Sequence, residues 1–126
     1  MKILLSIAVG GAIGAVGRYI MMARTGNFLH GDFPYSTITV NVLGSLLLGT
    51  LVELFALVWS PSAEMRAFLV VGILGSFTTF STFSLDVIVL FERGDYLSAM
   101  FYIIASVVLS VGAFFGAMFI FRHILA

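Results

Sequence analysis

Apolar residues run almost without interruption through four stretches of this chain, 3–23, 36–59, 67–91 and 96–121, and the polar residues gather in the short gaps between them. Each stretch reaches the roughly 20 residues that a helix needs to cross the hydrocarbon core of a bilayer. The gaps read as turns: Gly26, Asn27, Gly31, Asp32 and Pro34 in the first, Ser60, Pro61 and Ser62 in the second, Glu92, Arg93, Gly94 and Asp95 in the third. The pattern predicts an all-α integral membrane protein: one four-helix membrane domain over residues 1–126, with no room for a soluble domain. Met1 and Lys2 before an apolar run resemble the start of a signal peptide. That run continues to Ala23 and further spans follow, so a first, uncleaved membrane helix is expected.

Composition agrees. Of 126 residues 61% are hydrophobic and 10% charged, against roughly 25% charged residues in soluble domains. With a formal charge of zero there is no basic field for nucleic acid. The absence of cysteine excludes disulfides and thiolate metal sites. His30 and His123 are both near membrane interfaces and far apart in sequence, so neither a metal site nor a catalytic triad is suggested, and no enzyme signature is present. Four spans put Lys2, Arg66 and Arg122 on one side of the membrane and Arg24 and Arg93, with Arg18 near that end, on the other. Lys and Arg bias normally fixes orientation. An even count is either an accident of small numbers or the mark of dual topology, in which copies insert both ways and pair antiparallel.

Polar residues inside the spans carry the candidate chemistry. Small or polar residues recur at helical spacing: Gly10, Gly14 and Arg18; Thr37, Asn41, Ser45 and Gly49; Gly112 and Gly116. Close helix packing explains most of the glycines. It explains Arg18 and Asn41 less well, since such groups within a span need a partner or a wet cavity, although Arg18 lies near enough to an end to snorkel. The amide N–H groups of Asn41 are placed to face an anion. The segment 72–84 crowds Gly72, Gly75 and six hydroxyls (Ser76, Thr78, Thr79, Ser81, Thr82, Ser84) into mid-span. Back-bonding to the preceding turn accounts for one or two hydroxyls, not six. A broken helix is therefore expected, and unwound backbone at membrane depth belongs where it lines a cavity, binds an ion or is buried in protein. Phe80 and Phe83 share a helical face and can turn their positive ring edges to an anion; packing is the competing reading. Ser98, Tyr102, Ser106 and Ser110 make a polar stripe on the fourth helix, either lining a narrow path or bridging to a neighbouring helix. Asp86 has two readings, a partner for Arg18 or a cap on a pore mouth. Glu53, about two turns from the end of its helix, reads as snorkelling.

Three motifs carry a family resemblance over nearly the whole chain: Gly11-Ala12-Ile13-Gly14 followed by Arg18; Thr37 with Val40-Asn41-Val42-Leu43-Gly44; and Gly72-Ile73-Leu74-Gly75 running into Thr78-Thr79-Phe80-Ser81-Thr82-Phe83-Ser84. With these the sequence resembles the CrcB/Fluc family of bacterial fluoride channels. The resemblance implies a dual-topology antiparallel homodimer in the bacterial inner membrane, with two pores that passively export fluoride and a structural sodium ion on the two-fold axis. It further implies that Phe80 and Phe83 are the pore phenylalanines and that Asn41 is the polar residue near the ion. Ser81, Thr82, Tyr102, Ser106 and Ser110 would form the polar track, Arg18 would sit at the vestibule near the subunit interface, and Gly75 and Thr78 would give backbone carbonyls to sodium. Asp86 departs from the glutamate common in the family, and Glu53 matches none of its motifs. A small multidrug-type proton antiporter is the chief rival, yet its plan needs a carboxylate in the first span, where 3–23 has none. A non-transporting scaffold would leave the hydroxyl cluster without purpose.

Overall fold

A computed structural model describes the backbone of residues 1–28 and 33–126, and the side chains of all of these except Asn27 and Phe28. His30, Gly31 and Asp32, which the sequence places in the first loop, lie outside the described residues. Among the described residues, four helical stretches are long and apolar enough to cross a membrane: Lys2–Gly26, Tyr35–Leu57, Ala63–Glu92 and Tyr96–Leu125. The chain is thus a four-span membrane protein, as its hydropathy pattern predicts. The differences lie at the ends. The first helix runs on to Phe28 instead of stopping at Ala23, and Thr25 stays within it by donating back to the Met21 carbonyl at 2.7 Å. The second stops at Leu57, leaving Trp59 in the turn, edge-on to Phe55 at 5.4 Å. The third starts early at Ala63 because Ser62 caps it, accepting the Met65 N–H at 3.1 Å.

The third span is not one helix. Ala63–Arg66 is α-helical, Ala67–Leu74 winds as a π-helix and Gly75–Phe77 returns to α. The chain then leaves the helix at Thr78 (ψ 158°) and Thr79 (φ −150°, ψ 114°), and a new helix runs over Phe80–Glu92. The break expected somewhere in 72–84 is therefore confined to two β-branched residues, whose restricted side chains suit extended backbone. Gly72 and Gly75 remain helical, and Gly72 serves packing: a Cβ there would lie 2.8 Å from the Gly10 Cα.

With lipid as apolar as leucine, helices in a membrane associate through close packing and polar contacts. Gly10 and Gly14 bring the first helix onto the backbone of the third span at Gly72 and Ile73, Gly44 brings the second onto Thr78, and Gly49 brings it onto Phe114 of the fourth. The pairings fix directions. First helix and third span run parallel, as do second and fourth helices, while the second runs antiparallel to the third, Asn41 meeting Thr79 and Thr37 meeting Asp86. Gly112 and Gly116 differ from these: among the described residues, their own helix backbone apart, no atom lies within 4 Å of where a Cβ would stand. Leu90, Ala99 and Tyr102 form a small core over which Phe33, Ile38, Phe83 and Val87 close. Gly94, at φ 81°, makes the tight turn between the last two spans.

Candidate functional site

The break exposes backbone polar groups at membrane depth, and the second helix supplies their partner. Asn41 donates from Nδ2 to the Thr79 carbonyl at 3.1 Å and accepts the Thr79 N–H on Oδ1 at 2.7 Å. The carboxamide thus replaces the helical acceptor that the Thr79 N–H has lost, and adds a donor to a carbonyl that also heads the following helix. The Thr79 hydroxyl in turn caps the following helix: it accepts the Thr82 N–H at 3.1 Å, donates to Thr82 Oγ1 at 3.1 Å and lies 3.3 Å from Ser81 Oγ. Only Thr78 and Ser84 of the six hydroxyls bond back to the preceding turn, at 3.1 and 3.0 Å.

Beside the break, the second helix, the third span and the fourth helix enclose a groove of about 390 Å³. It gathers Asn41, Gly75, Thr78, Phe80, Phe83, Ser106 and Ser110, together with Ser45 and Thr79, which sequence reasoning did not single out as site residues. Ser45 was visible as one rung of the Thr37, Asn41, Ser45, Gly49 stripe; Thr79 carried the signal of a hydroxyl three residues ahead of Thr82. The Phe80 and Phe83 rings stand 5.4 Å apart, tilted by 40°, and Phe83 packs on Tyr102 at 5.1 Å. Phe80 is 78% exposed, so the groove is open on that side.

Ser106 is the unusual member. It is 7% exposed, and among the described residues its hydroxyl has no hydrogen-bond partner. Ser6, Thr25, Thr39 and Thr50, on helices of the same chain, all donate to the carbonyl four residues back. Ser106 keeps its donor, and it lines the groove.

The remaining expected residues sit elsewhere. Tyr102 faces away from the groove and donates to Asp86 Oδ2 at 2.8 Å, where Thr37 also donates at 2.7 Å. Asp86 is therefore held by two hydroxyls from the second and fourth helices, and no ion pair with Arg18 forms. Arg18 instead borders a second cavity, of about 460 Å³, with Tyr19, Met22, Ser36 and Thr82. Ser81 lines neither cavity. Glu53 does not snorkel: it is 3% exposed and meets Arg122 Nη2 at 2.6 Å. Among the described residues no cluster of three His, Cys, Asp or Glu side chains forms a metal site.

Residues 5–118 match the family model described as CrcB-like protein, camphor resistance (CrcB). The chain belongs to this family. Similar CrcB relatives include a protein of Rhodospirillum centenum named fluoride-specific ion channel FluC, 49% identical over 126 residues and the full length of both chains. Two others of the same name, from Nitrobacter winogradskyi and Agrobacterium fabrum, are 51% and 48% identical over 96% and 94% of both chains. The break, its Asn41 clamp and the groove are thus features of a CrcB-family chain.

Proposed function

We propose that this chain is a fluoride-selective channel that lets fluoride leave a bacterial cell passively across its inner membrane. The observation that carries the reading is Ser106: a buried hydroxyl, unpaired among the described residues, in a groove that it shares with Asn41 and the two phenylalanines. Leaving such a donor unmatched costs about 1–3 kcal/mol, which a small anion accepting its proton would offset. Fluoride is small and tightly hydrated, so it needs closely spaced donors in place of water. Ser106, Ser110 and the second amide N–H of Asn41, whose first is held by Thr79, provide them, and the edges of Phe80 and Phe83 add weak positive potential without trapping the ion. Arg18, with Thr82 in the second cavity, raises the local anion concentration. Ser81 and Tyr102 act through neighbours: Ser81 through the Thr79 cap, Tyr102 through Asp86 and by backing the Phe83 ring. HF crosses membranes as a neutral acid and dissociates inside, so the gradient drives fluoride outward. Two carboxylates within the spans, half-buried Asp86 and buried Glu53, are both engaged by donors from other helices, which speaks against either serving as the acid of a proton-coupled drug carrier.

The channel works as an antiparallel homodimer with two equivalent pores. Supporting this are the groove's open side at Phe80, the unfilled faces of Gly112 and Gly116, and the balanced loop charges. A two-fold axis turns one groove into two. A structural sodium ion fits the residues at the break. It is a hard cation that takes oxygen ligands, and Gly75, exposed and without a side chain, and Thr78, whose ψ of 158° takes its carbonyl out of the helical ladder, offer neutral backbone oxygens. Two carbonyls are few for one cation, and a symmetry-related copy doubles the set. Bound there, it would supply a fixed positive charge joining the copies.

Purified protein in liposomes tests the proposal. Expected are rapid electrogenic fluoride efflux, negligible chloride efflux, and strongly slowed fluoride efflux after Phe80→Ile or Phe83→Ile. Chloride flux matching fluoride, or no flux from folded protein, would refute it.

A further inference from the structure

Two charged residues play no part in the pathway just described, yet one of them is buried near the end of a membrane helix. Glu53, 3% exposed, and Arg122 are joined at 2.6 Å and link the second helix to the fourth. Only the Glu53 side of the pair is buried; the Arg122 side chain is 59% exposed. Burying even one charge costs desolvation that offsets the attraction, so such a pair is a poor source of stability, and the best-attested use of buried charge is to fix register. Register matters between these two helices. They run parallel, the second contributing Asn41, Ser45 and Leu48 to the groove wall and the fourth Ser106, Ser110 and Val111. At one end of the wall Thr37 and Tyr102 meet on a shared oxygen of Asp86. Beyond the other end, past the contact of Gly49 with the Phe114 backbone, lies Glu53–Arg122. About 24 Å of helix separates Thr37 from Glu53 at 1.5 Å per residue. Between the two ends the Gly49–Phe114 contact is close packing without a charge or hydrogen bond to hold it, and shifts of about 1–2 Å between packed helices belong to the known repertoire of protein switching.

We propose that Glu53 and Arg122 are a positioning pair: anchored at the end opposite Asp86, they lock the second helix against the fourth and so set the spacing of the groove donors. The proposal rests on the channel reading for its consequence, but not for its geometry. Sliding the fourth helix by a fraction of a turn moves Ser106 and Ser110 relative to Asn41, and with them the match to a small anion. Selectivity, not only rate, therefore depends on the pair.

The test uses full-length protein in liposomes, with flux expressed per folded channel. Glu53→Gln and Arg122→Gln are each expected to lower fluoride efflux at least fivefold and to raise chloride efflux relative to fluoride. Glu53→Asp and Arg122→Lys, which keep the charges, should fall between these and the parent. Independently of transport, Leu48→Cys with Val111→Cys, in a chain that has no cysteine of its own, reports groove spacing through the rate of closure by a short thiol cross-linker. That rate should change at least threefold when Glu53→Gln is added. If the neutral variants reduce only the yield of folded protein, with flux per channel, fluoride-to-chloride ratio and cross-linking rate all at parental values, the pair is a simple staple and the proposal is overturned. If the parent itself carries no fluoride, the channel reading fails, and the cross-linking rate alone decides the register claim.

Discussion

Removing the Asn41 carboxamide separates two roles that the residue combines. In Asn41→Ala the Thr79 N–H loses its acceptor at 2.7 Å, in a residue only 6% exposed, while the Thr79 carbonyl loses the Asn41 donor at 3.1 Å but stays the first acceptor of the helix that starts at Phe80. One orphaned buried N–H costs about 1–3 kcal/mol. At tenfold per 1.4 kcal/mol, even the lower bound is roughly a fivefold loss of protection. Hydrogen–deuterium exchange in detergent micelles reads this directly, since the Thr79 amide is the group Asn41 protects. Peptides covering 78–82 should exchange at least about fivefold faster, while amides of the first helix stay unchanged. Asn41→Asp should be intermediate: a carboxylate still accepts the Thr79 N–H but sets an oxygen against the Thr79 carbonyl. If Asn41→Ala alters fluoride flux and leaves exchange at 78–82 within twofold of the parent, Asn41 is an ion contact only and the clamp reading is wrong.

Two further substitutions test the packing and the groove. Ser106→Ala removes an unpaired buried hydroxyl, so thermal unfolding in detergent should occur at the same or a higher temperature, by up to about 1 kcal/mol in stability, while fluoride efflux falls; lower stability with unchanged flux would contradict the role given to Ser106. Gly14→Ala drives a Cβ into the Ile73 carbonyl, which is backbone and cannot rotate away. The overpacking cost of about 1–3 kcal/mol outweighs the gain of about 1 kcal/mol in helix propensity, so the same melt should show net destabilisation.

Periodicity along one helix can be read from a sequence, but the choice of partner across helices cannot. The Thr37, Asn41, Ser45 and Gly49 stripe was legible as one face, and the structure uses every rung of it, for Asp86, Thr79, the groove and Phe114 in turn. Spacing of four residues gave no means of telling these uses apart. The same limit explains Gly112 and Gly116, whose spacing matches Gly10 and Gly14 but where, among the described residues outside their own helix backbone, no atom lies within 4 Å of an added Cβ. The count of hydroxyls in 72–84 was informative because the local alternative saturates: back-bonding takes two, and the surplus must serve a break or a cavity. Where the break falls depended on something nonlocal, the Asn41 carboxamide delivered from another helix to satisfy Thr79.

The acids were read least well, and for an electrostatic reason. A lone carboxylate in an apolar span is judged by its distance from the membrane surface, which made Glu53 a snorkelling residue and Asp86 a candidate partner for Arg18. Their fate is decided instead by whether donors arrive from other helices. Asp86 receives two hydroxyls and Glu53 one guanidinium, and both lie along the contact of the second and fourth helices. Placed at the two ends of that contact, with the groove between them, they bear on the same donors. A change at either carboxylate should therefore be felt at Ser106, although neither residue lines the groove with it.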